Sequence, residues 1–353
     1  MRDVAVISFA QAPNVRRVKE SNEVELLMPV VREAVQRSGL PRQQIGFTCS
    51  GSCDYLAGMP FSFVTALDGV GAWPPIQESH VEMDGAWALY EAWVKLQHGD
   101  VDSALVYGFG KSSMGDVREI FTLQLDPYYV APLWPDTVSV AALQARALLD
   151  GGEWTERDLA EVAARSRRDA MANPDAQVKG EADVDALLAQ PYLADPLRKH
   201  DCPPVTDGAA AIVLAAGDRA REVCERPAWI RGIDHRIEAH SLGVRDLTRS
   251  PSTRLAAEKA GALTDGFDVV ELHAPFTHQE LILRDALDLR DTKAAVNPSG
   301  GALAANPIMA TGLARIGEAA QRVMDGGAGR ALAHATSGPC LQQNLVCVLE
   351  GEA

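Results

Sequence analysis

Apolar positions along the chain alternate between two spacings. Val4-Ala5-Val6-Ile7-Ser8-Phe9-Ala10 is a nearly continuous apolar run rich in β-branched residues, the pattern of a buried strand. Leu26, Leu27, Val30, Val31 and Ala34 then fall at helical spacing behind Ser21-Asn22, whose side chains suit an N-cap, and Gly39-Leu40-Pro41 ends that helix. Ile45 to Cys49 reads as a second strand. Ala86, Leu89, Ala92, Trp93 and Leu96 mark an amphipathic helix that closes at His98-Gly99, and Val101 to Phe109 reads as another buried strand. Strands alternating with helices predict a layered α/β fold with parallel pairing. From about Asp116 to His200 the chain is richer in charge, Tyr, Trp and Pro, with one helix predicted over Thr155 to Ala172. Strand character returns at Ala209 to Ala216.

The second half repeats the order of the first. Val81 to Gly108 runs through a strand end, a Gly turn, an Ala-rich helix, a Gly-containing loop and a strand, and Val296 to Gly338 runs through the same series. Such a long-period repeat predicts two βαβαβ halves whose turn-to-helix corners face one centre, where helix N-termini and strand ends bind ligands in open α/β sheets.

Composition narrows the function. At 353 residues, a soft prior of about 150 per domain gives roughly two domains. The 33 Lys plus Arg against 48 Asp plus Glu leave a formal charge of −15, which repels a phosphate backbone and argues against nucleic-acid binding. The six cysteines are scattered, which does not suggest a disulfide framework. No signal-like segment opens the chain, and the run Ala209 to Ala216 is far short of the roughly 20 residues that cross a bilayer. The expectation is a cytoplasmic protein without a membrane span.

Several motifs then carry a family resemblance. Asn297-Pro-Ser-Gly-Gly-Ala-Leu-Ala-Ala-Asn306-Pro-Ile-Met-Ala-Thr-Gly312 resembles the thiolase signature NPSGGxLaxGHPxGATG. Cys202-Pro-Pro-Val-Thr-Asp-Gly-Ala-Ala-Ala211 resembles the thiolase segment CPxxDGAAA. Val270-Glu-Leu-His273-Ala-Pro-Phe276 resembles VExHDCF of the sterol-carrier-protein type, and Cys340-Leu-Gln-Gln-Asn344 resembles that type's LQHN tail. The resemblance implies the thiolase fold, five layers αβαβα from two duplicated halves. The halves would be residues 1–115 with 201–222, and 223–353, with a loop insertion over 116–200.

Thiolases activate a Cys at a helix N-terminus with a His, and use a second Cys as acid/base. Here the corresponding loop is His80-Val81-Glu82-Met83-Asp84-Gly85, with Glu82 or Met83 where the nucleophile would stand. Asn306 replaces the His of GHP, and Ala274 and Pro275 replace the Asp and Cys of HDCF. Acyl-cysteine chemistry is therefore not expected. The resemblance points instead to the thiolase-like or non-specific lipid-transfer branch, some members of which are retro-aldolases. That chemistry needs a base and donors for a thioester enolate, not a covalent intermediate.

The expected function is retro-aldol C–C cleavage of a bulky β-hydroxyacyl-CoA in sterol or lipid side-chain degradation. His273 is the expected base, Asn306 and amides near Gly338 the enolate donors, and Glu82 a second base if it is buried. Met83, His278, Gly300, Gly301, Gly338 and Cys340 are assigned to substrate contact, and the basic cluster Arg245, Arg249 and Arg254 to coenzyme A phosphates. Coenzyme A enters as part of the substrate. No metal is expected, because Cys49 and Cys53 lack further ligands at suitable spacing. Plainer readings stay open: His273 as a structural imidazole, Asp84 as a helix cap, Cys340 as a buried thiol and the arginines as a solvated loop. The rival function is a non-catalytic subunit or lipid-binding module. The resemblance further implies a homodimer, or a heteromer with an OB-fold/zinc-ribbon protein or a second thiolase-like chain.

Overall fold

A computed structural model describes residues 2–263 and 266–352. The first half runs β1 (Val4–Gln11), α1 (Glu23–Arg37), β2 (Phe47–Gly51), α2 (Asp54–Ala57), α3 (Phe63–Val70), β3 (Glu78–Val81), α4 (Gly85–His98) and β4 (Ser103–Lys111). An excursion follows, with α5 (Val117–Thr122), α6 (Thr137–Asp150), α7 (Glu156–Asp169), α8 (Val184–Leu188) and the hairpin β5 (Tyr192–Ala194) and β6 (Leu197–Arg198). β7 (Asp207–Ala216) completes that half. The second half runs α9 (Gly217–Val223), β8 (Ala228–Ile237), α10 (Pro251–Lys259), β9 (Val269–Leu272), α11 (Thr277–Ala286), β10 (Ala295–Val296), α12 (Gly301–Ala304), α13 (Thr311–Met324), β11 (Arg330–Ser337) and β12 (Gln343–Glu350).

The duplication is explicit in the strand order. The series β1-β7-β4-β2-β3 in the first half matches β8-β12-β11-β9-β10 in the second. Each has two antiparallel joints followed by two parallel ones. The halves meet through the short antiparallel contact of Ala5 with Trp229 and Val6 with Ala228. Residues 112–206 separate β4 from β7, whereas five residues separate β11 from β12.

Three apolar layers hold the strands. α1 covers the outer face of the first half with Leu26, Leu27, Val30, Val31 and Ala34, at the spacing read from the sequence. α10 and α11 cover the outer face of the second. α4 and α13 lie between the halves, where α13 touches β1 and β7 as well as β9 and β11. The architecture is the five-layered αβαβα arrangement. Strand ends shift from expectation: β2 spans Phe47–Gly51 rather than Ile45 to Cys49, because the short 3-10 turn Arg42–Gln44 uses the residues before it. The helix predicted over Thr155 to Ala172 is α7 followed by a 3-10 turn at Ala170–Ala172.

Two glycines of β4 position the loop that matters most. A Cβ at Gly110 would stand 1.9 Å from the Ile308 carbonyl oxygen, and one at Gly108 would stand 2.3 Å from that of Met309. Only glycine lets the segment between α12 and α13 lie directly on this strand. Asn306 is carried by that segment.

Candidate active site

The N-termini of α4 and α13 meet at Asp84. Its Oδ1 accepts from the backbone N–H of Ala86 and Leu313, and its Oδ2 from that of Gly312, each at 2.9 Å. A helix N-terminus concentrates unpaired N–H groups and positive potential, so one carboxylate caps both central helices. Burial pushes its carboxyl upward, and the three N–H donors and Arg315 oppose that shift. The Gly85 N–H donates to the Met309 carbonyl at 2.9 Å, a second tie between the halves at this corner.

Glu82 and Met83 precede this cap. Met83 is half-buried against the central core. Glu82 is exposed, and Oε1 accepts from the Asp54 N–H at 2.6 Å, at the start of α2. The expected buried base is therefore corrected: Glu82 is solvated and caps a neighbouring helix.

The signature Asn297-Pro-Ser-Gly-Gly is an internal clamp. Asn297 Oδ1 accepts from Leu272 N–H at 2.6 Å while its Nδ2 donates to Glu280 at 2.9 Å. Ser299 donates through N and Oγ to Glu271, at 3.1 and 2.7 Å. Glu271 is wholly buried and ion-paired with Arg315 at 2.8 Å. Gly300 and Gly301 hold φ of +92° and +62°. They allow close packing: Ala170 and Ala304 each lie 2.6 Å from a Cβ position on Gly300, and Asn297 lies 2.9 Å from one on Gly301.

His273 ends the run after β9 and is nearly buried. The Thr336 N–H donates to its Nδ1 at 3.4 Å. With Nδ1 accepting, the neutral ring carries its proton on Nε2. Burial first, then the fields of His334 and Arg315, push it down to about 3, while the Asn306 side chain partly offsets this by accepting a hydrogen bond. His273 is thus neutral at physiological pH, and its one lone pair is engaged. The expectation that it takes a substrate proton is revised on that ground.

Asn306 is 8% exposed. Its Oδ1 accepts from Thr311 Oγ1 at 3.1 Å, and its N–H donates to Thr206 Oγ1 at 3.1 Å. Among the described residues no hydrogen bond engages its Nδ2. The carboxamide is therefore oriented, with its acceptor satisfied and its donor free.

His278 stands in the first turn of α11, wholly buried. Its Nε2 lies 3.2 Å from Gln144 Oε1. Gln144 reaches in from α6, a buried hub that sequence reasoning did not find. Its Nε2 donates to the carbonyls of Leu247 at 3.0 Å and Cys340 at 3.4 Å, and its Oε1 accepts from Gln279 Nε2 at 3.0 Å. A signal was present: Gln144 stands on the stripe of Val140, Ala141, Ala145 and Leu148, where an apolar residue belongs.

The remaining candidates lie around this knot. Gly338, at φ +74°, follows β11, and Cys340 and Leu341 are also left-handed, at +54° and +57°. The Cys340 thiol faces the Val140 carbonyl at 3.6 Å, and burial pushes it up to about 12. Asn344 of the LQQN segment accepts from His334 Nε2 at 3.0 Å and donates to Ser252 at 2.7 Å and to Leu341 at 2.8 Å.

The arginines do not converge into a free basic patch. The Arg245 side chain is 3% exposed, pairs with Glu238 and donates to the carbonyls of Pro339 and Cys340. Its expected contact with a phosphate is corrected: it braces the loop after β11. Arg249 is exposed beside Asp246, and Arg254 pairs with Glu258 and Asp288.

No family profile matches the chain. It is 27% identical to the acetyl-CoA acetyltransferase of Methanothermobacter thermautotrophicus, over 92% of this chain and 94% of that one. It is 25% identical to sterol carrier protein 2 of Gallus gallus over 86% of its length, spanning 63% of that longer protein. Among solved structures it superposes on the Ltp2-ChsH2(DUF35) aldolase with a TM-score of 0.82 at 17% identity, covering 99% of this chain and 97% of that one. It superposes on human mitochondrial 3-ketoacyl-CoA thiolase with a TM-score of 0.80 at 18% identity, covering 100% and 99%. The fold is that of the thiolases, and the sequence likeness runs to thiolases and to sterol carrier protein 2.

Proposed function

We propose that the chain acts on a β-hydroxyacyl-CoA and cleaves it by a retro-aldol step, without a covalent intermediate. The observation that carries this reading is the oriented Asn306 amide, its Oδ1 satisfied by Thr311 and its Nδ2 unengaged, beside a neutral His273. Breaking the bond between the α and β carbons leaves an electron pair on the thioester, and a preorganised N–H donor stabilises the resulting enolate oxygen. His273 acts in this reading by orienting Asn306. The cysteines support the same choice. Burial pushes Cys49, Cys202, Cys340 and Cys347 up to about 12, far from the thiolate that acyl transfer requires.

The superposed aldolase is named as a complex with a second chain, which supports a heteromeric partner here; its activity supports the reaction class. A bulky acyl group of the sterol or lipid side-chain kind is the substrate class the resemblance implies. The test is to supply the purified protein, with and without an OB-fold/zinc-ribbon partner, with such an ester and to measure the carbonyl product and the shortened acyl-CoA. Cleavage that falls at least a hundredfold in Asn306→Ala supports the reading. No cleavage under either condition, or equal cleavage by the variant, overturns it. A second reading, a non-catalytic subunit, is favoured by the engagement of Glu82 with α2. Co-purification with a thiolase-like chain that retains acid/base residues distinguishes it.

A further inference from the structure

The retro-aldol reading leaves the proton acceptor unassigned, because the lone pair of His273 is engaged. The hydrogen bonds around Gln144 identify another candidate. Its amide has two faces. The Leu247 and Cys340 carbonyls accept from one, which fixes that end as the NH2 group. The other end is therefore the oxygen, and Gln279 Nε2 donates to it at 3.0 Å. His278 Nε2, 3.2 Å from that same oxygen, must also donate. A neutral imidazole has one N–H, so His278 Nδ1 carries a bare lone pair.

That lone pair is buried and has no partner among the described residues. A buried acceptor left unpaired is costly, so an orphan of this kind calls for a ligand that satisfies it. His200 and His334 also hold an unpartnered Nδ1. His200 sits in the 3-10 turn after β6 and His334 inside β11, whereas His278 opens the helix that follows β9 and His273. Through Gln144 it is tied to the loop after β11. β9 and β11 are parallel neighbours, and the corner beyond the ends of such strands is where α/β sheets bind ligands.

We propose that His278 Nδ1 accepts the proton of the substrate's β-hydroxyl group, and that Gln144 is the positioning residue that keeps this nitrogen unprotonated. This rests on the retro-aldol reading. The O–H pair becomes the second bond of the product carbonyl as its proton passes to Nδ1. The pair of the broken carbon–carbon bond enters the thioester as an enolate facing Asn306 Nδ2, and the proton on His278 is then delivered to the α carbon. No oxidant or further reactant is consumed. Burial holds the ring neutral, down at about 3, so the lone pair is present at physiological pH before substrate binds.

The experiment measures calorimetric binding of 3-hydroxy-3-phenylpropanoyl-CoA and of 3-phenylpropanoyl-CoA to the full chain, with cleavage blocked by Asn306→Ala. The hydroxylated ester should bind about tenfold more tightly, the worth of one hydrogen bond. Adding His278→Phe should erase that preference, and adding Gln144→Met should reduce it. Nitrogen NMR of labelled histidine supplies a readout independent of the His278 variant. The imine signal of His278 Nδ1 should move with the hydroxylated ester and stay fixed with the deoxy one. Equal binding of the two esters, a preference that survives His278→Phe, or a protonated Nδ1 in the free protein overturns the assignment. Failure of both esters to bind overturns the underlying reading of function instead.

Discussion

Replacing Asp84 with Ala tests whether one carboxylate joins the two halves. The side chain is wholly buried and accepts from three backbone N–H groups, those of Ala86, Gly312 and Leu313, at the starts of α4 and α13. Truncation leaves three buried donors without a partner, at about 1–3 kcal/mol each. Against that stands the relief of no longer burying a carboxylate, a cost visible in the upward push on its carboxyl. The net loss expected is about 3–5 kcal/mol, as for breaking a buried charge interaction. Asp84→Asn keeps Oδ1 with its two donors but turns an NH2 group toward the Gly312 N–H, so roughly 1–3 kcal/mol is expected. Asp116 provides the control: it caps α5 from an exposed position, accepting from Arg118 and Glu119, and Asp116→Ala should cost about 1 kcal/mol. Urea unfolding followed by circular dichroism gives the three values. The reasoning fails if Asp84→Ala and Asp116→Ala cost the same, for then the shared cap contributes no more than an ordinary one.

Three further outcomes follow from the same structure. His273, His278 and His334 are buried neutral, pushed down to about 3, 3 and 4, so between pH 6.5 and 4 the unfolded chain binds protons that the native chain refuses. Stability should therefore fall as pH drops below 6.5, by roughly 2 kcal/mol per histidine at pH 5, and His334→Gln should remove about one proton's slope from urea midpoints measured against pH; an unchanged slope contradicts the burial argument. Breaking the Glu271–Arg315 pair by Arg315→Leu should cost about 3–5 kcal/mol, while the double variant Glu271→Leu with Arg315→Met recovers part of it; a double variant as unstable as the single would show that the pair itself is not what matters. Met83→Cys should yield a thiol that iodoacetamide labels slowly at pH 7, because Asp84 already neutralises the N-terminus of α4; rapid labelling would show that the helix field is still available to an anion.

The fold was legible because its signals are periodic. Val4 to Ala10 and Ala209 to Ala216 read as buried strands and became β1 and β7, which pair with each other. The helical stripe of α1 was read residue for residue, since burial on one face leaves a regular trace. The site was legible by motif only. The linear pattern placed His273, Asn306 and His278 as residues of interest but is silent on which ring nitrogen is engaged. That depends on partners far along the chain: Thr336 for His273 and Gln144 for His278. Arg245 misled for the same reason. Its neighbours Arg249 and Arg254 suggested a basic surface, yet its side chain turns inward to brace the carbonyls of Pro339 and Cys340. Charge is local in sequence, whereas burial is decided by the packing of distant elements.

The proposed chemistry, which uses no thiolate, fits the electrostatics of this corner. In a thiolase-like corner, two helix N-termini face one centre and their dipoles favour an anion there. Here the chain supplies that anion itself as Asp84, bonded to both helices. A thiol in the preceding loop would gain little from a field already compensated, and Glu82 instead accepts from the Asp54 N–H at the start of α2. Glycines 108 and 110 still hold the 306–310 segment on the sheet, and Thr311 still fixes the Asn306 amide. An oriented Asn306 amide, beside helix N-termini already occupied by a carboxylate, is in keeping with the proposed passage through an enolate rather than an acyl-enzyme.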